Sequence, residues 1–235
     1  DVESRGLGDV YKRQILYSGI EHHVSADEYD LFTAQANRNF FYLTGLRRDN
    51  MVLVLDKCVE PAKTMLFIEE ADPTMERWYG RKVTMEEAEE ISGIDEVEYI
   101  YELESTLDRI MTREDVYTAY FDTYRHQKVD LPDYNVVKAN EFKTDYPGIA
   151  VKNLFPLVAE ERMQKDEDEI ELTQKAIALT KDGLCNVMAN LKPGMKEYQT
   201  QADFEYILRR GGAEWTAFPT IAGSGMNGTM LHYDT

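Results

Sequence analysis

The chain has 235 residues, enough for one large domain or two modest ones. Acidic residues number 44 against 26 basic ones, a formal net charge of −18 at neutral pH. That balance repels nucleic-acid phosphate and anionic membrane, and the arginine pairs Arg47-Arg48 and Arg209-Arg210 are too small to form a basic patch.

In chain order, Asp1–Gln14 shows no helical or strand periodicity, has no initiator Met and lacks the apolar core of a signal peptide. It reads as a non-native leader. Ile15–Ser18 reads as a short strand closed by Gly19. Asn39–Thr44, rich in aromatics and ending at Gly45, reads as a strand, and so do Met51–Leu55 and Thr64–Ile68. None of these runs is long enough to span a membrane. Asp72–Arg81 mixes charge, Trp78 and glycine, the pattern of an exposed loop. Glu86–Ile91 and Glu104–Met111 are expected helices, Val116–Phe121 a strand and Tyr134–Lys143 a helix. Strands alternating with helices indicate an α/β domain around a mixed sheet, assigned to residues 15–160.

A second domain is expected over residues 161–235. After Pro156 the chain enters the charged run Lys165–Glu171 and then a long helix ended by Lys192-Pro193-Gly194. Ile170, Ile177, Leu184 and Leu191 recur every seven residues, with Thr173, Thr180 and Val187 between them, the stripe of a helix packed on a core. Glu197–Arg210 is a second helix, stopped by Gly211-Gly212. Ala217–Ala222 reads as a strand, Gly223–Gly228 as a tight connection and Met230–Tyr233 as the returning strand. The chain halts just after an apolar stretch, so it reads as a fragment.

Few residues announce chemistry by themselves. No GxSxG, HExxH or phosphate-loop motif occurs, and Ala222–Gly228 lacks the lysine and following helix of a phosphate cradle. Cys58 and Cys185 stand far apart, which excludes a disulfide scaffold and indicates a reducing, cytoplasmic compartment. Neighbouring His22 and His23 point to opposite faces of an extended segment and so suit no shared metal, and His126 sits in a polar stretch. His232 lies in an apolar segment, where a lone histidine is more often a core residue than a catalyst. Trp78 either pins its loop to the sheet or marks a contact with a ligand or subunit.

Six segments together carry a family resemblance. They are Ala36–Leu46, Leu66–Lys82, Glu86–Ile94, Glu161–Glu171, Leu191–Leu208 and Phe218–Tyr233. In this order they resemble the Xaa-Pro aminopeptidases, over essentially the whole chain from Ile15. The resemblance implies a creatinase-type α/β N-terminal domain with a mixed sheet, followed by the first part of an α+β "pita-bread" catalytic domain. It implies a full-length enzyme that removes the residue before proline, acts on peptides with proline at the second position and forms a homo-oligomer. Such an enzyme holds two divalent metals, commonly manganese, ligated by two aspartates, a histidine and two glutamates. In the family all five follow the His-Tyr element, so none is expected here and Asp234 is not one of them. The resemblance makes His232 the catalytic histidine that contacts substrate and handles a proton. Phe218 would wall the proline pocket, and Trp78 would approach a neighbouring subunit's site. Related alternatives are a prolidase-type dipeptidase, a metal-free creatinase-like C–N hydrolase and a non-catalytic peptide-binding module of the same fold.

Overall fold

The first strand sets the frame of the N-terminal unit, because it lies inside a six-stranded sheet with neighbours on both edges. The computed structural model describes residues 13–20, 23–25, 28–29, 36–113, 116–127 and 132–233. The chain divides into two units, one running to Gln164 and the other from Lys165 onward. The first contains β1 (Arg13–Tyr17), β2 (His23–Ser25), β3 (Glu28–Tyr29), α1 (Arg38–Thr44), β4 (Val52–Asp56) and β5 (Lys63–Ile68). It continues with α2 (Pro73–Tyr79), α3 (Met85–Ser92), β6 (Glu96–Tyr99), α4 (Leu103–Met111), β7 (Thr118–Phe121), α5 (Tyr134–Asp145), β8 (Ala150–Asn153) and α6 (Phe155–Met163).

The sheet order is β6-β5-β4-β1-β7-β8, with β2 and β3 forming a separate two-stranded pair. β1 runs antiparallel to β4 and parallel to β7, so the sheet is mixed as the sequence pattern implies. Its central strands carry consecutive apolar residues, Ile15-Leu16, Val52–Leu55 and Met65–Ile68, because both faces are covered. Leu16, Leu53, Leu55, Leu66 and Ile68 face one core, where Phe40 and Leu43 of α1, Ala88 of α3 and Val158 of α6 pack. Ile15, Val52, Val54, Met65 and Phe67 face the other, against Leu103, Leu107 and Ile110 of α4 and Ala139 and Phe142 of α5.

Several sequence expectations change. Asn39–Thr44 is helical, within α1. The Asn37 side chain accepts hydrogen bonds from the Asn39 and Phe40 amides at 2.8 and 3.1 Å, and Gly45 closes the helix at φ 72°. This capping at both ends overrides the β-propensity of the aromatics. Asp72–Arg81 is mostly helix α2, with Pro73 at its first position and Asp72 accepting from the Thr74 amide at 2.7 Å. β1 begins at Arg13 rather than Ile15, so Arg13 and Gln14 belong to a buried strand while residues 1–12 lie outside the described ones. β7 begins at Thr118, two residues later than expected.

The second unit holds α7 (Glu167–Asn190) and α8 (Glu197–Arg210). A reciprocal capping box starts α7: Asp166 accepts from the Glu169 amide at 2.8 Å, and Glu169 accepts from the Asp166 amide at 3.1 Å. The two helices approach closely at Gly183, where an added Cβ would lie 2.7 Å from the Phe204 ring. The heptad stripe differs from expectation, for Ile170, Ile177, Leu184 and Leu191 are all exposed. Neither Ala217–Ala222 nor Met230–Tyr233 is a strand. A strand needs a hydrogen-bonding neighbour, and no strand occurs among the described residues of this unit.

Candidate functional site

The segment after α8 carries two of the three residues singled out by resemblance, Phe218 and His232. Phe218 is 67 % exposed, and His232 lies on an exposed turn just after the 3-10 turn Asn227–Thr229. Trp78 belongs to the first unit, on α2, and is 80 % exposed. Trp78 is therefore not pinned against its own sheet. Of the remaining histidines, His22 lies outside the described residues, His23 opens β2, and the His126 Nδ1 sits 3.4 Å from the Tyr124 hydroxyl.

Two carboxylates of α8 hold this segment. Thr220 donates its hydroxyl to Glu205 Oε1 at 2.6 Å. Glu197, in the first turn of the helix, collects a larger set. Its Oε1 accepts from the Ser224 amide at 2.6 Å, the Ser224 hydroxyl at 2.9 Å and Asn227 Nδ2 at 3.1 Å. Its Oε2 accepts from the Tyr233 hydroxyl at 2.9 Å and Asn227 Nδ2 at 3.2 Å. Asn227 Nδ2 also donates to the Tyr233 oxygen at 2.8 Å, which closes a ring of contacts.

The Ser224 amide, followed by the Asn227 and Ser224 side chains, draws the Glu197 carboxyl down to about 2. A carboxylate that only accepts has its charged form favoured by each such donor. The loop folds tightly between these contacts. A Cβ on Gly223 would lie 2.9 Å from the Asn227 carbonyl oxygen, so only glycine fits there. Nearby, the Arg209 guanidinium covers the Trp215 ring at 4.9 Å, fixing the exit from α8.

Glu197, Asn227 and Tyr233 escape a motif reading. Glu197 looks like an ordinary first-turn acid placed for the helix dipole. Its partners lie 27 to 36 residues away, a pairing no local pattern encodes. Among the described residues, no group of three or more His, Cys, Asp or Glu side chains is placed to hold a metal ion. The dinuclear centre implied by the resemblance therefore does not fit the described residues.

Comparison with known proteins decides the family. Residues 12–120 match the aminopeptidase P N-terminal domain, and residues 171–235 match metallopeptidase family M24. The chain belongs to the aminopeptidase P family. Among its relatives is the Xaa-Pro aminopeptidase of Escherichia coli K12, 29% identical over 205 residues, covering 84% of this chain and 45% of that protein. Human Xaa-Pro aminopeptidase 3 is 26% identical over 235 residues, covering 98% of this chain and 45% of that protein. Human Xaa-Pro dipeptidase is 27% identical over 200 residues, covering 83% of this chain and 38% of that protein.

A solved structure from Bacillus anthracis, described as a candidate aminopeptidase P, superposes with a TM-score of 0.92 at 37% identity. The match covers 99% of this chain and 55% of that one. The low-pH form of E. coli aminopeptidase P gives 0.80 at 26% identity, covering 99% and 54%. A related E. coli structure is described as zinc-substituted and in complex with product. The chain spans about half the length of the curated relatives it matches.

Proposed function

We propose that this chain forms part of a metalloaminopeptidase that hydrolyses the peptide bond between an N-terminal residue and proline. Both domain profiles match in the order expected of such an enzyme, and this single observation carries the reading. The catalytic centre would be two divalent ions, manganese by family habit, with ligands supplied from outside the described residues. His232 would contact the substrate and handle a proton, Phe218 would wall the proline pocket, and Trp78 would meet a neighbouring subunit. The exposure of Phe218 and Trp78 is compatible with such contacts. The paucity of cysteines supports a cytoplasmic enzyme, and no helix among the described residues is long and apolar enough to cross a membrane.

The test is hydrolysis of Xaa-Pro-Xaa peptides by the full-length protein, with and without a chelator and with His232→Ala. Loss of activity under both conditions is expected. Full activity with chelator and in His232→Ala would remove the proposal. A prolidase-type dipeptidase is the second reading, favoured by the match to human Xaa-Pro dipeptidase. Cleavage of the dipeptide Xaa-Pro in preference to the tripeptide would select it.

A further inference from the structure

The loop preceding His232 carries short-range turn bonds of its own, from the Asn227, Thr229 and Met230 amides to the Ser224, Met226 and Asn227 carbonyls, which shape it locally without tying it to α8. It contains Gly223, Gly225 and Gly228, and no strand among the described residues pairs with it. Glycine-rich backbone is entropically costly to order, so a loop of one conformation needs fixed anchors. The main anchor is a single carboxylate, since Glu197 binds the loop at its start through Ser224, at its middle through Asn227 and at its end through Tyr233. Tyr233 immediately follows His232, so the last contact falls beside the histidine.

We propose that Glu197 is a positioning residue for His232: by gathering Ser224, Asn227 and Tyr233 onto one helix-borne carboxylate, it sets the turn from which His232 is presented. The inference rests on the aminopeptidase reading of His232 given above.

The chemistry favours a glutamate specifically. All of its partners present donors: a backbone N–H, an amide NH2 and two hydroxyls. An ionised carboxylate has acceptor sites for all of them and no proton to clash. A glutamine would turn an NH2 towards either the Ser224 or the Tyr233 side, setting donor against donor. The carboxylate is also well placed to stay still, because it sits in the first turn of a 14-residue helix. An acid serving only the helix dipole would face solvent, with no need of partners from another segment.

The experiment uses the full-length protein and compares Glu197→Gln, His232→Ala and the double variant on an Xaa-Pro-Xaa peptide. Hydrogen exchange of the Ser224–Tyr233 amides is followed in parallel. Glu197→Gln is expected to lower kcat by about 10- to 100-fold, as small displacements of a catalytic group do, with a smaller change in KM. The same variant is expected to speed exchange in the loop. The double variant should then fall within about twofold of His232→Ala alone, because a group already removed cannot be mispositioned. Multiplicative losses, or an unchanged kcat in Glu197→Gln, would overturn the inference while leaving the aminopeptidase reading intact. Full activity of His232→Ala would overturn the role of the histidine itself, and the inference with it. Should Glu197→Gln fail to fold, Tyr233→Phe removes one donor and is expected to give a smaller kcat loss with the same non-additivity. Additivity of that variant would equally overturn the inference.

Discussion

Asn135 binds both backbone groups of Tyr17. Its Oδ1 accepts from the Tyr17 amide at 2.8 Å, and its Nδ2 donates to the Tyr17 carbonyl at 2.9 Å. The β1–β7 ladder stops at Ile15 and Phe121, two residues short of Tyr17. A side-chain amide offers the same donor and acceptor as a peptide unit, so Asn135 continues the ladder from the start of α5. It is fully buried, and its own amide and Nδ2 also donate to Asp133. Asn135→Ala leaves two buried backbone groups without partners. The expected loss is about 2–4 kcal/mol of stability, from two unmet hydrogen bonds. Urea denaturation would measure it, and an unchanged midpoint would show that water replaces the amide.

Gln14 sets the opposite problem. It is fully buried in β1, and its Oε1 and Nε2 have no hydrogen-bond partner among the described residues. A buried unsatisfied amide costs about 1–3 kcal/mol. Gln14→Leu, of similar reach, is therefore expected to stabilise the protein and raise its Tm. A lower Tm would mean that the site cannot accommodate the branched side chain. Its neighbour Arg13, also fully buried, lies against Asp56, with Nε 3.1 Å from Oδ1 and Nη2 3.4 Å from Oδ2. The Nε contact is poorly aligned as a hydrogen bond and so is chiefly ionic.

Asp122 makes stability depend on pH. Burial raises its carboxyl above the usual aspartate value, against the lowering effect of donors from Asn39, the Tyr124 amide and Asn37. The folded state therefore binds this proton more readily than the unfolded one. As pH falls through the raised folded value, the buried charge is neutralised and the native state gains relative to the unfolded chain. The wild type should gain stability relative to Asp122→Asn as pH is lowered from 7 towards 4, measured by paired urea titrations. A constant difference between the two would contradict the shift.

Gly183 separates two effects of known size. In an open helix, Gly→Ala stabilises by about 1 kcal/mol. Here the new Cβ would lie 2.7 Å from Phe204 Cδ2 and 2.8 Å from Cε2. Overpacking of this kind costs about 1–3 kcal/mol, so Gly183→Ala is expected to destabilise the α7–α8 pair. Thermal unfolding followed by circular dichroism would show a lower Tm, and pairing with Phe204→Leu should restore part of it.

The strands β4 and β5 and the helices α3, α4, α5, α7 and α8 were legible because local signals suffice for them: apolar runs, caps and terminal glycines. At α1 two such signals conflicted. The aromatic run in Asn39–Thr44 suggests a strand, whereas Asn37 and Gly45 cap a helix, and the caps prevail. Asp72-Pro73 likewise marked the start of α2 and was masked by the surrounding charge. The family could be read because six short segments retain their order across two domains.

Long-range relationships are of another kind. The Asn135–Tyr17 pairing, the Asp122 cluster and the Glu197 ring each join residues 27 to 118 positions apart. By itself the sequence determined an acidic, α/β, aminopeptidase-P-like chain with His232 as its marked histidine. Only the tertiary structure decided that Glu197 secures the loop before His232 and that the α7 stripe and Phe218 are exposed. The physical reason is that helix caps and apolar periodicity act within a few residues. Hydrogen bonds between distant polar groups instead depend on how the folded chain brings them together.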